Sequence, residues 1–199
     1  LGLLVSALPA SALPLYIDWG LGQETGFILY NVQHTSFTGA INSKSPDQNG
    51  SPWNTLYCVD IPGLITVPGQ YDFATQGTSG NTWGVTNADR AAYLYNKYAP
   101  VADTANKATA LNLALWESIY DNVNNLASGN FQYTGALVND VNTLLADPGT
   151  DSGLLLNPNN DLDNQILITT PVPEPASMLL LGVGLLGAGI ASRKKKASA

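Results

Sequence analysis

The sequence predicts an α+β domain: a β core, sandwich- or barrel-like, with helices inserted between its third and last strands, and a C-terminal transmembrane helix beyond it. Three observations carry that reading. Short stretches rich in β-branched and aromatic residues occupy the first half and the end of the domain. The hydrophobic period lengthens to three and four in between. Beyond residue 170 the chain changes character altogether.

Residues 27–32 and 55–61, the second holding Leu56, Tyr57, Cys58, Val59 and Ile61, are flanked by Gly, Asn, Ser and Pro and predict two strands. Pro68-Gly69 marks a turn, and 70–73 predicts a third. Ala91, Leu94, Tyr95 and Tyr98 share one face of a helix over 87–98 that ends before Pro100. A longer helix over 104–121 aligns Ala108, Leu111, Leu115 and Ile119, with Ala114 and Trp116 widening the stripe, so it should be deeply buried. A third helix over 135–146 stops at Asp147-Pro148-Gly149, and 163–169 returns as the final strand. No internal repeat is visible.

The 199 residues, 45% hydrophobic, suffice for one globular domain. Charged residues are only 12%, about half the usual share, so solubility rests on uncharged polar groups. Four of the eight basic residues crowd into 193–196, leaving Lys44, Arg90, Lys97 and Lys107 against all the acids except Glu174. A domain so acidic offers no basic face to nucleic acid. One cysteine, Cys58, excludes an internal disulfide, and one histidine, His34, excludes a multi-histidine metal centre. No cofactor and no metal site is expected.

Both ends read as addresses. Residues 1–12 combine an apolar run with Ala10-Ser11-Ala12, the look of the back half of a secretory signal peptide; the alternative is a buried terminal strand or helix. The folded domain is then expected over 13–170. In 171–199, Pro173-Glu174-Pro175 enforces an extended segment just ahead of an apolar, glycine-spaced run over 176–191. As a helix that run spans about 24 Å, a little short of the roughly 30 Å hydrocarbon core. Arg193, Lys194, Lys195 and Lys196 supply the anchoring charge and favour a cytoplasmic end.

This tripartite tail resembles the PEP-CTERM sorting signal. The resemblance implies recognition by an exosortase, a membrane-embedded cysteine transpeptidase, with cleavage near Pro173-Glu174-Pro175. It further implies an inner-membrane-anchored precursor, a mature form at the cell surface or in the extracellular matrix of a Gram-negative bacterium, and partners among matrix proteins or extracellular polysaccharide. A plain tail anchor is the rival.

A second resemblance, over 24–121, rests on Leu56-Tyr57-Cys58-Val59-Asp60 and Ala110-Leu111-Asn112-Leu113-Ala114-Leu115-Trp116-Glu117. These blocks are similar to the paired cysteine and glutamine blocks of bacterial surface thioester domains. In that family the thiol attacks the glutamine carboxamide, ammonia leaves, and the thioester acylates a partner, making a covalent adhesin. Here Asn112 stands where the pattern has Gln, one methylene shorter, which withdraws the acyl carbon by about 1.5 Å, a misplacement that can cost roughly a hundredfold in rate. The alternative is that Cys58 is a small buried hydrophobe.

Other constellations are weaker. His34, Cys58 and Asn112 are the residue types of a cysteine-hydrolase site, yet Cys58 falls mid-strand with no helix N-terminus to activate it. The oxygen-rich segment 157–163 lacks the glycine and terminal glutamate of an EF-hand loop and reads as a solvated turn. Trp19, Trp53 and Trp83 are candidates for stacking on sugars, whereas Trp116 reads as core. The functional expectation is a noncatalytic structural or adhesive surface protein, with the thioester adhesin and a secreted hydrolase as alternatives.

Overall fold

A long hairpin dominates the fold, and only its tip is apparent from composition. In the computed structural model, which describes residues 13–44, 55–78, 83–121, 125–158 and 165–170, β1 (Leu13–Leu29) and β2 (Val32–Lys44) pair antiparallel almost throughout. The stretch 27–32 is therefore not one strand. Leu29 pairs with Val32 across a two-residue turn in which Tyr30 and Asn31 have φ of 49° and 64°. Two successive positive φ values match the twist of the flanking strands, so the chain reverses where composition predicts continuity.

The remaining strands are β3 (Thr55–Cys58), β4 (Gly69–Gly77), β5 (Phe131–Gln132), β6 (Leu154–Pro158) and β7 (Leu167–Thr169). Pairing runs β2-β3-β7-β6-β4-β1, and β1 pairs β2 again, so the sheet closes into an antiparallel barrel with β5 appended to the far end of β1. Closure removes the edge strands that would template aggregation. Leu15, Ile17, Ile41, Leu56, Phe73, Leu156 and Leu167 share the inner face, each at most 3% exposed. Burying one such side chain contributes about 1.5–3 kcal/mol.

A bulge divides the hairpin. Its register shifts between Trp19 and Gly22, which moves every later β1 side chain to the opposite face. Before the bulge, Leu15 and Ile17 fill the barrel. After it, Phe27 turns outward and its ring meets Trp116 at 5.0 Å. Opposite the bulge, Gly39 has φ of 149°, and a Cβ there would lie 2.4 Å from the Leu21 carbonyl oxygen. Only glycine tolerates both the conformation and the approach.

The helices lie between β4 and β6: α1 (Ala88–Tyr98), α2 (Ala105–Tyr120) and α3 (Val138–Leu145), with a 3₁₀ turn at Ala99–Val101. All three fall within the stretches expected to be helical. Thr104 caps α2 by accepting the Lys107 N–H at 3.3 Å. Every residue of α2 from Ala108 to Ile119 is buried, because the hairpin covers one side and α1 and α3 the others. Arg90 of α1 donates to the carbonyls of Leu145 and Gly149 at 3.1 and 3.3 Å, satisfying the C-terminal end of α3.

Two further differences follow from burial. The segment 157–163, read as a solvated turn, begins inside β6, where Asn157 is 0% exposed; its remainder lies outside the described residues. Of the expected strand over 163–169, the described part is a strand only at Leu167–Thr169, which pairs with β3 and β6. Just before it, the Ile166 carbonyl accepts the Val59 N–H at 2.9 Å and the Gln165 N–H donates to the Leu64 carbonyl at 3.3 Å, while 163–164 lie outside the described residues. No helix among the described residues is long and apolar enough to cross a membrane. The expected signal peptide (1–12), Trp53, Pro173-Glu174-Pro175, the apolar run 176–191 and the basic cluster 193–196 lie outside the described residues.

Candidate functional site

Cys58 ends β3 and Asn112 occupies the middle of α2, only 1% exposed. The β2–β3 ladder pairs Asn42 with Thr55, Ile41 with Leu56 and Ala40 with Tyr57, and then stops. At the next position, where Gly39 would meet Cys58, the Asn112 carboxamide stands between the strands. Its Oδ1 accepts the Gly39 N–H at 3.0 Å and its Nδ2 donates to the Cys58 carbonyl at 2.9 Å. A carboxamide carries the donor and acceptor of a peptide unit, so it replaces ladder bonds that the parting strands no longer make. One turn earlier, the Thr109 hydroxyl donates to the Thr38 carbonyl at 2.9 Å.

The thiol faces the other way. Side chains alternate along a strand, so Cys58 shares the inner face with Leu56 and, across the ladders, with Ile41 and Leu167. Tyr57 takes the outer face, where its ring meets Tyr95 of α1 at 5.9 Å. Asn112 thus reaches the Cys58 backbone from the helix side and sits in line with the strands, whereas the thiol projects to the inner face. Cys58 lines a cavity of about 120 Å³ at the barrel mouth with Trp19, Phe37, Ile41, Ile61 and Ile65. Burial pushes its thiol pKa far up, and the Asp60 carboxylate adds to the rise. A thiol so held is protonated at physiological pH and weakly nucleophilic.

His34 sits on β2 opposite Phe27 and stacks on that ring at 5.6 Å, with planes 13° apart. It does not line the Cys58 cavity. Trp19, 48% exposed, packs edge-on to Phe37 at the barrel mouth, and Trp116 is core at 1%. Trp83 borders a cavity of about 430 Å³ at the opposite side of the Cys58 strand, which it shares with Tyr30 and Tyr120. Among the described residues, no group of three or more His, Cys, Asp and Glu is placed to hold a metal ion.

Two acids at the end of α2, one of them buried, fasten the chain that follows. Glu117 is 0% exposed; its Oε1 accepts the Asn125 N–H at 2.8 Å, and its Oε2 has no partner among the described residues. Burial lifts its pKa to about 7, the Asn125 bond opposing and Asp121 assisting. Asp121 accepts the N–H groups of Asn130 and Phe131 at 2.9 and 2.8 Å, which starts β5. At the surface, Asp147 receives the Lys97 ammonium and the Tyr98 and Tyr93 hydroxyls, which draw its pKa down to about 2.

Sequence reasoning finds Cys58 and Asn112 but not Gly39, Thr109 or Glu117. Gly39 has no pattern of its own in a chain rich in glycine, and Thr109 and Glu117 look like the polar positions of an amphipathic helix. Only the burial of α2 on all sides reveals their work.

Neither the curated proteins nor the solved structures include a match to this chain. A family model does match at the C-terminal end: residues 171–196 are similar to the PEP-CTERM protein-sorting motif, which implies an exported surface protein with a membrane-anchored precursor targeted to an exosortase.

Proposed function

We propose that this chain is a noncatalytic structural or adhesive protein of the cell surface or extracellular matrix, released to its site by exosortase processing of residues 171–196. The match to the sorting motif carries the reading. Two features of the domain support it. The thiol is kept protonated inside a barrel, and the histidine ring stacks on Phe27 rather than facing a nucleophile. The expected test is fractionation of cells with and without their exosortase. With the enzyme, the domain should leave the inner membrane; without it, the domain should stay there with its tail attached. Equal release from both strains would end the reading.

The thioester adhesin is the second reading, favoured by the contact between the Asn112 carboxamide and the Cys58 carbonyl. It requires Sγ to bond to the Asn112 acyl carbon with loss of ammonia, which needs the strand end to rotate its thiol through the sheet and the carboxamide to give up both backbone bonds. Mass of the purified protein discriminates: a thioester leaves it lighter by one ammonia and sensitive to methylamine.

A further inference from the structure

We propose that the cavity between the β1–β2 turn and the C-terminal end of α2 binds a neutral saccharide. Segments distant in sequence converge there: Tyr30 from the turn, Asp60 from just past β3, Trp83 and Thr86 from ahead of α1, Tyr120 from the end of α2, and Asn130 from ahead of β5. Its volume, about 430 Å³, falls within the roughly 300–1,000 Å³ of small-molecule sites.

The backbone singles this place out. Tyr30 and Trp83 have φ of 49° and 51°, the left-handed region that bulky residues avoid and glycine enters freely. Both border the same cavity. Aromatic rings held where glycine would relieve the backbone indicate a purpose for the rings, and strain of this kind concentrates at ligand sites. Tyr30 is 55% exposed, and its ring stands at 88° to that of Tyr120, 6.0 Å away, so the two form a corner.

The polar groups complement the rings. The Tyr120 hydroxyl accepts the Ile61 N–H at 2.9 Å and lies 3.4 Å from the Asp60 carboxylate, which also accepts from the Gly63 backbone; two such bonds leave a carboxylate with capacity to accept from a ligand hydroxyl. Burial raises the Asp60 pKa, a sign that its oxygens are short of solvent. Among the described residues that line the cavity there is no Lys or Arg to neutralise a phosphate or a uronate. A neutral sugar has apolar C–H faces for the rings and hydroxyls that can donate to the Asp60 carboxylate and to the Asn130 Oδ1, the Asn130 Nδ2 already donating to the Tyr120 carbonyl at 3.0 Å, which matches both halves of the wall. A quaternary amine would also suit rings beside a carboxylate, but it fills little of this volume and makes no use of the Asn130 amide.

The saccharide site gives the surface reading its ligand class and rests on that reading for its biological setting; binding itself is measured without reference to sorting. The test titrates the purified full chain, held in a non-glycosidic detergent, with neutral tetrasaccharides of glucose, galactose and mannose, following tryptophan fluorescence and heat. A uronic-acid tetrasaccharide and choline are run in parallel. At least one neutral tetrasaccharide should bind, with affinity lowered tenfold or more by Trp83→Ala and by Tyr30→Gly and unchanged by Trp19→Ala. Tyr30→Gly removes a ring while giving the turn the residue it prefers, so its thermal midpoint should stay at or above that of the parent, separating lost contact from lost fold. Absence of neutral-sugar binding, preference for choline or the uronate, or undiminished affinity in both variants would overturn the site. Any of these with the tail still processed removes the saccharide site and leaves the surface reading; sugar binding with an unprocessed tail does the reverse.

Discussion

Two places in this domain bring distant residues together, and they are built on opposite plans. At the Gly39–Asn112–Cys58 junction, both polar atoms of the carboxamide are bonded to backbone and the thiol is buried. At the Tyr30–Trp83 cavity, rings stand in strained backbone and face open space. The first place turns both polar atoms of its carboxamide to bonds inside the fold. The second holds capacity in reserve, which is what a ligand site requires and a structural joint avoids.

The sharpest way to break that contrast is at Asn112. Asn112→Ala strands a buried N–H on Gly39 and a buried carbonyl on Cys58, and should lower unfolding stability by about 3–4 kcal/mol in urea titrations. A loss under about 1 kcal/mol would mean that the strands meet without the carboxamide. Gly39→Ala attacks the same joint from the backbone side, where a Cβ would meet the Leu21 carbonyl oxygen, and should cost about 2–3 kcal/mol.

Next in size is the effect of pH through Glu117. Its pKa is about 7 in the fold against 4.5 as an ordinary carboxyl, so the folded state binds the proton more tightly. Stability from this group is complete below about pH 4.5, declines as pH rises, and is gone above 7. Thermal or urea unfolding between pH 5 and 8 should show a decline of about 2 kcal/mol, which Glu117→Gln should flatten because the amide still accepts from Asn125. A decline that persists in Glu117→Gln would assign the proton elsewhere, with Asp60, also raised by burial, the next group to replace.

The smallest effect sharpens the comparison most cleanly. Cys58→Ala removes one sulfur from an apolar face and should cost only about 1 kcal/mol by urea unfolding, with the expression level and sugar binding of the parent. In the parent, the thiol should resist alkylation until denaturant is added. Rapid alkylation of the native protein would contradict a buried, protonated thiol.

How far the sequence reveals all this depends on the period of each element. α1, α2 and α3 are legible because Ala91, Leu94, Tyr95 and the Ala108–Ile119 run repeat at helical spacing over long windows, and Thr104 marks a start. The hairpin is not. β1 carries Gly20, Gly22 and Gly26 and changes face at a bulge, so its hydrophobic alternation breaks halfway, and the apparent strand at 27–32 is two strand ends joined by a turn of Tyr30 and Asn31, residues with weak turn signals. β6 hides because Asn157 looks like a loop residue until the barrel closes around it.

The candidate site shows the same division. Cys58 stands out by its rarity and Asn112 by standing where the resembled thioester-domain block has Gln, but their relative orientation depends on which face of β3 looks inward, a property of the closed barrel rather than of either block. The aromatic cavity depends on four loops meeting the end of α2, which no local pattern records. In contrast, the sorting tail is legible outright, since Pro173-Glu174-Pro175, the apolar run and the basic cluster are contiguous.

One intact mass of the exported protein tests the account most directly. It should end near Pro173-Glu174-Pro175, without the apolar run and the basic cluster, and with the full mass of an unreacted Cys58 and Asn112. A tail still carrying Lys196 in cells that possess the exosortase would contradict the sorting, and a deficit of one ammonia would contradict the carboxamide as a clamp.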